Sequence, residues 1–182
     1  DLNMDGMINV QDVIIIVNII LDQLEPSPEQ FEAADLNEDG IINILDVIDL
    51  VNMILGSRSD NATQSKLLDT GKLLQLKADG YIGAVKLVLK HGDDFTFELT
   101  ENAFVADYNS KGATTTIIVV VPETDDLVSY TGSFEIVEVK ATNSTEFITV
   151  TLPQETGLNS AYPNPFNPVT SIGYSLGFAG NL

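Results

Sequence analysis

Residues 1–21 read DLNMDGMINVQDVIIIVNIIL, and residues 35–55 read DLNEDGIINILDVIDLVNMIL. They are one motif written twice, 34 residues apart, with no gap inside the aligned block. Asp, Asn, Asp, Gly, Ile, Asn and Asp recur at the same offsets, followed by Val, Asn, Ile and Leu in an apolar tail. One copy of so short a pattern arises by chance; a second copy in register makes chance a poor explanation.

The offsets carry chemistry. Positions 1, 3 and 5 are Asp1, Asn3 and Asp5, then Asp35, Asn37 and Asp39. Hard oxygen donors on alternate residues converge when a loop curls. Gly6 and Gly40 stand at position 6, where a calcium loop turns sharply. Position 7 offers only its backbone carbonyl, so its side chain is free to differ: Met7 in one copy, Ile41 in the other. Asn9 and Asn43 suit a water-mediated contact at position 9. Asp12 and Asp46 close the shell at position 12, from the first turn of a helix. Oxygen-only ligands, without Cys or a nearby His, indicate Ca²⁺ rather than zinc. Mg²⁺ fits less well because it keeps a small octahedral, water-rich shell. Two loops imply two Ca²⁺. The alternative, a pair of acidic turns capping helices, does not account for the full EF-hand-like pattern in duplicate.

These residues resemble the dockerin family: two calcium loops with Asp at position 12, each running straight into one helix. The resemblance covers residues 1–56. It implies a calcium-dependent module that docks onto a cohesin domain and assembles extracellular complexes. In that family, recognition centres on positions 10, 11, 17 and 18. Carried over, the partner-binding residues are Val10, Gln11, Val17 and Asn18, with Ile44, Leu45, Val51 and Asn52 in the second copy. Many dockerins have Ser-Thr at positions 10 and 11; Val-Gln and Ile-Leu here suggest a more apolar contact.

Composition narrows the partners. Twenty-seven acidic and eight basic residues leave a net charge of −19 over 182 residues. Such a chain is not attracted to nucleic acid or to an anionic membrane surface. There is no Cys, which closes disulfide, thiolate-metal and Cys-nucleophile chemistry. The longest apolar runs, residues 13–17 and 117–121, are five residues each, far short of the ~20 a membrane helix needs. The sequence does not open on a signal peptide or an initiator Met, and reads as a processed product or part of something longer.

The first helix, residues 10–21, is apolar on every side, so it must be covered on every side. One face suits the second helix, residues 44–55; the other requires a further surface, in this chain or in a partner. Between the copies, Ser27, Pro28 and Gln30 read as an N-cap, an N1 proline and a capping-box partner. They predict a helix over residues 28–34 with Phe31 inward. Residues 57–66 are polar and aperiodic, a linker.

Residues 67–157 change to period two. Phe95, Phe97 and Leu99 alternate with polar residues, and β-rich runs recur at 113–121, 134–140 and 147–152. This spacing predicts an antiparallel β-sandwich of seven to nine strands. Its Gly placement and alternation loosely resemble cohesin-like domains. Asn61 and Asn143 open formal glycosylation sequons, read as polar turns. His91, the single His, reads as an exposed turn residue and no nucleophile elbow accompanies it. Asp93–Asp94 and Asp125–Asp126 read as solvated turns. Tyr81, Tyr108 and Tyr130 read as sandwich packing rather than a sugar-binding face. In the tail, YPNPFNP at residues 162–168 resembles the start of the C-terminal sorting domain of type IX secretion substrates. Its prolines lead stiffly into a strand over residues 171–176.

The expected architecture is therefore multidomain. A small all-α EF-hand-like dockerin module (1–56) is followed by a linker (57–66), an antiparallel Ig/cohesin-like β-sandwich (67–157) and a partial sorting-type segment (158–182). The expected function is non-catalytic, secreted or cell-surface, calcium-dependent protein–protein assembly. Two forms follow. One is a filament subunit, a homo-polymer joined head to tail by dockerin–sandwich docking or by strand donation. The other is the dockerin-bearing part of a secreted polysaccharide-degrading enzyme, anchored to a cohesin-bearing surface. A carbohydrate-binding sandwich is a third reading.

Overall fold

A computed structural model of the chain describes residues 1–152, 157–158 and 174–175. The repeat forms two helices, α1 (Val10–Ile20) and α3 (Ile44–Leu55), with α2 (Pro28–Ala34) between them. Each repeat helix starts on an Asn cap. The Asn9 carboxamide oxygen accepts the Gln11 N–H, and Asp12 accepts the N–H of Asn9 in return. Asn43 and Asp46 repeat the arrangement on α3. Ser27 and Gln30 cap α2 as predicted. Phe31, however, is exposed, because α2 turns Ala34 and half-buried Ala33 inward. Gly56 ends α3 at φ 84°, a conformation that favours glycine. Val13, Ile16, Val17, Val47, Leu50 and Val51 fill the helical core.

Nine strands follow: β1 (Gln64–Asp69), β2 (Leu73–Ala78), β3 (Ala84–His91), β4 (Thr96–Leu99), β5 (Ala103–Lys111), β6 (Thr114–Pro122), β7 (Asp126–Thr131), β8 (Phe134–Thr142) and β9 (Phe147–Thr151). They form one sheet in the order β4-β7-β2-β1-β9-β8-β3-β6-β5. The sheet folds over along β9, which pairs with β1 on one side and β8 on the other. Leu67, Leu74 and Leu127 thereby face Val85, Leu87 and Ile117 in a common core. The edge strands β4 and β5 are consecutive in the chain. Phe97 and Tyr108 join them edge to face at 4.8 Å, so the sandwich is nearly a barrel. The strand count matches expectation, but the pairing is not wholly antiparallel: β1 and β9 run parallel, Gln64 opposite Thr149. Alternation specifies which face is buried, not the direction of the neighbouring strand.

The segment expected as a linker is fixed to the β domain. β1 begins at Gln64, ahead of the expected start, and Ala62 is buried. The Asn143 amide donates to the Ala62 carbonyl at 2.9 Å, and the Ser144 hydroxyl donates to the Arg58 carbonyl at 3.2 Å. Both sequon asparagines belong to this lock, since Asn61 accepts the Ser144 N–H. In the tail, β10 (Gly157–Leu158) pairs antiparallel with β11 (Tyr174–Ser175). The proline stretch and the remainder of the sorting-type segment lie outside the described residues.

The helices pack on the outside of the β domain. Along β6, Ile117 and Val119 point into the sandwich, while Ile118 and Val120 point out and join the helical core. Ile48 lies directly over Gly83. Polar groups rim the contact. The Asn52 amide donates to the Ser144 carbonyl at 2.7 Å, Gln23 to the Tyr108 carbonyl at 2.6 Å, and Asn109 to the Leu21 carbonyl at 2.7 Å. Lys111 meets Asp22 at 3.0 Å. The further surface that the apolar helices require is thus supplied, for part of its extent, by this chain. Each fully buried Ile in the contact is worth about 1.5–3 kcal/mol relative to exposure. Gly83 permits the close approach: a Cβ there would sit 2.5 Å from both Ile48 Cδ1 and the Asn143 carbonyl oxygen. Gly83→Ala should therefore cost about 1–3 kcal/mol by overpacking. Urea unfolding of the variant measures this; unchanged stability would show that the contact yields freely.

Candidate metal centres and docking surface

Both loops are curled by their own carboxylates. In the first, Asp1 accepts the N–H groups of Asp5 at 3.2 Å and Gly6 at 2.6 Å; in the second, Asp35 accepts those of Asp39 at 3.1 Å and Gly40 at 2.9 Å. Asn3 and Asn37 accept the same Asp N–H groups, and Asp5 and Asp39 accept the N–H of Met7 and Ile41. Gly6 and Gly40 take φ 85° and 84°, as the position-6 turn demands. Met4 and Glu38 also have positive φ, at 60° and 57°, so the curl is imposed one residue before Asp5 and Asp39 as well.

Asp12 and Asp46 are fully buried, and each ties the loop to its helix. Asp12 accepts the N–H groups of Leu2 at 2.7 Å and Asn9 at 2.9 Å; Asp46 accepts those of Leu36 at 3.0 Å and Asn43 at 2.8 Å. Burial pushes the Asp46 carboxyl up, and the nearby charge of Asp35 adds to this, against the pull of three backbone N–H groups. As pH rises through that raised value, the ionised carboxylate works against the fold, and a cation in the loop reverses the sign. At Asp12, burial also acts upward, but N–H donors from Asn9, Leu2 and Asn3 outweigh it and hold the carboxyl below its ordinary value.

Among the described residues, no three His, Cys, Asp or Glu side chains converge by themselves into a coordination shell. The donor set nevertheless fits a hard cation, combining carboxylates, carboxamides and a backbone carbonyl in a turn of the required shape, although the Ile41 carbonyl already accepts the Asn43 amide at 3.2 Å. Asp1, Asn3, Asp5, Asp12 and the Met7 carbonyl would hold one ion; Asp35, Asn37, Asp39, Asp46 and the Ile41 carbonyl would hold the other. Asn9 and Asn43, expected to position water, are helix caps. The position-9 Asn followed three residues later by Asp is a cap signal that the loop pattern hides.

The residues proposed for partner contact separate into three groups. Val10 and Gln11 are exposed. Val17, Ile44 and Val51 are buried at 0–1% exposure, Val17 and Val51 between the helices. Asn18, Leu45 and Asn52 are half-buried, and Asn52 is engaged with Ser144 of this chain. Hydrophobic character alone does not say which of these positions are interior. The other candidates are structural. His91 ends β3 rather than standing free in a turn; it stacks on Phe95 at 4.7 Å, with Nε2 2.8 Å from Thr115 Oγ1. Asp125 pairs with Lys77 at 3.4 Å, and Asp126 accepts from Gln75. Tyr130 donates to Asp69, and Tyr81 lies beneath Arg58. No helix among the described residues is long and apolar enough to cross a membrane.

Each copy of the duplicated acidic loop delivers its last carboxylate from the first turn of a helix. Residues 1–55 match the dockerin type I domain family, which supports reading this part of the chain as a dockerin module. Dockerin type I domains bind calcium and bind cohesin domains. The match stops before β1. No curated protein and no solved structure matches the chain.

Calcium binding and folding should be coupled in this module. Chelation is expected to remove the helical circular-dichroism signal of residues 1–56 and leave the β signal; an unchanged helical signal would refute the coupling. Asp46→Ala should abolish one site and also lose the capping box, costing about 1 kcal/mol beyond the metal. Calcium titration by calorimetry, giving one site instead of two, is the check.

Proposed function

We propose that this chain is a non-catalytic, extracellular, calcium-dependent assembly protein whose helical module docks onto a cohesin-type domain of another protein. The observation that carries the reading is the pair of matching loops, each closed by a buried carboxylate that is at once loop ligand and helix cap. Dockerin domains are typically extracellular or associated with the cell surface, which supports the location. Two Ca²⁺ are assigned, one per loop.

Of the two forms of assembly, the anchoring form has the better support: a secreted enzyme's terminal part, held to a cohesin-bearing surface. Its support is the packing of α3 over β3 and β8, in a core shared with Ile118 and Val120 of β6. A head-to-tail filament built by docking one module on the next sandwich would first have to vacate that contact. Strand donation by the tail rests on residues outside the described ones and is not needed by this reading.

A panel of cohesin domains, tested by calorimetry with calcium and with chelator, addresses the proposal. The expected result is binding to at least one of them, abolished by chelation. Light scattering with calcium titrated in should give a monomer; calcium-dependent growth in size would restore the filament. Calcium-independent binding would overturn the docking reading.

A further inference from the structure

The two copies of the repeat carry equivalent ligands, yet the β domain supports their metal loops unequally. In the second copy, the stretch that leads from the loop turn into the helix is covered. Ile44 and Ile48 are each 1% exposed, and Ile42 and Leu45 are half-buried. Ile42 packs against the core that Ala84, Ile118 and Val120 share with the helices. Ile48 lies over Gly83, and Asn52 ties the far end of α3 to the Ser144 carbonyl at 2.7 Å. The same stretch of the first copy meets solvent. Ile8 is 44% exposed, Val10 37% and Ile14 42%, and Gln11 is exposed as well. α1 reaches the sheet at its other end, through Leu21, Asp22 and Gln23, remote from Asp12.

A loop already held in shape has less conformational freedom to lose when it binds, and its affinity is higher for that reason. Residues 41–46 deliver the Ile41 carbonyl and the Asp46 carboxylate. Burial of Ile42, Ile44 and Ile48 holds this half of the second loop before any ion arrives. The equivalent half of the first loop has its cap and the bonds of Asp12, which both copies share, and no such burial. The other features of the loops do not set the copies apart. At position 2, Leu2 is buried and Leu36 packs against the same core. Side-chain amide bonds occur within both loops: Asn3 donates to Asp5 at 2.9 Å and Gln11 at 3.1 Å, and Asn43 donates to the Ile41 carbonyl at 3.2 Å.

We infer that the β domain is a positioning element for the second calcium site: through Gly83 and Ser144 it holds residues 42–52 in shape, so the second loop takes Ca²⁺ first and the first loop fills only at higher concentration. Coupling between binding events is reciprocal. An ion in the second loop therefore strengthens the seat of α3 on the sheet by the same factor, whereas an ion in the first loop has no such lever. Between the two affinities the chain has α3 fixed to the sheet and the first loop still unfilled. The inference rests on the assignment of one Ca²⁺ to each loop, not on the identity of a docking partner, and adds the order in which the loops fill and the residues that set it.

The test titrates Ca²⁺ into the calcium-free full chain and follows hydrogen exchange residue by residue. Amides of residues 36–48 should gain protection at a calcium concentration about tenfold or more below that needed for residues 2–14. Calorimetry on single-site variants should give the same order, the site left in Asp12→Ala being tighter than the site left in Asp46→Ala. Asn52→Ala removes the bond to Ser144 and touches neither loop. It should weaken the second site about threefold or more and leave the first unchanged, where a general loss of stability would weaken both. Ile14→Ala, at the position of the first copy that corresponds to Ile48, should change neither. Protection that appears on both loops together, or on the first loop ahead of the second, would overturn the inference while leaving two-site calcium binding intact. Absence of calcium binding by the unaltered chain would overturn both this order and calcium-dependent docking.

Discussion

A secondary-structure element that is apolar on every side has to be covered on every side. Among the described residues, α1 and the central run of β6 are such elements, and the core they share with α3 organises the molecule. Ile117 and Val119 on β6 satisfy the sandwich interior, while Ile118 and Val120 have no use there. The helices α1 and α3 have more apolar surface than their mutual contact can bury. Each side leaves the other's surplus unsatisfied until they meet. A module of about 55 residues has a small core for its surface, and the outer face of the sheet enlarges it. The hydrogen bonds of Asn52, Gln23 and Asn109 then fix the register of a contact that hydrophobic packing alone would leave free to slide.

The acidic loops depend on this framework at one residue each. Asp12 and Asp46 are carboxylates with no exposure, an expensive arrangement unless every oxygen is engaged. Backbone N–H groups from both the loop and the helix start engage them, so loop shape and helix start are set by the same atoms. In this arrangement a cation is not an accessory placed on a finished fold. It would offset the repulsion among carboxylates that the loop collects; Asp46 is lifted chiefly by burial, with a smaller contribution from Asp35.

Much of this was legible in the residues. The 34-residue register located both loops and the two repeat helices, and the Ser27, Pro28 and Gln30 cap located α2, because metal-ligand spacing and capping chemistry are local rules. Period-two alternation found the β domain and its strand count for the same reason. What alternation cannot encode is which strand lies beside which, so the parallel β1–β9 pair went unread. Ala62, Asn143 and Ser144 were equally opaque: a polar, aperiodic segment looks free until the turn that holds it is known. The clearest missed signal was in β6 itself. The run from Ile117 to Val121 does not alternate, which by itself asks for cover on both faces. Reading it beside the apolar surplus of α1 would have joined the two domains. Burial at the positions carried over for partner contact was equally hidden: Val17 and Asn18 are adjacent in sequence, yet Val17 is fully buried and Asn18 only half-buried.

The parallel pairing of β1 and β9 has a mechanical consequence. The chain enters the β domain at the start of β1 and leaves its last paired strand at the end of β9. Tension applied between a docked module and whatever follows residue 152 pulls these two neighbours in opposite directions along their common axis. Their hydrogen bonds are then loaded together in shear, rather than opened one after another as in a hairpin pulled from its ends. A sandwich with adjacent parallel terminal strands resists extension along that axis.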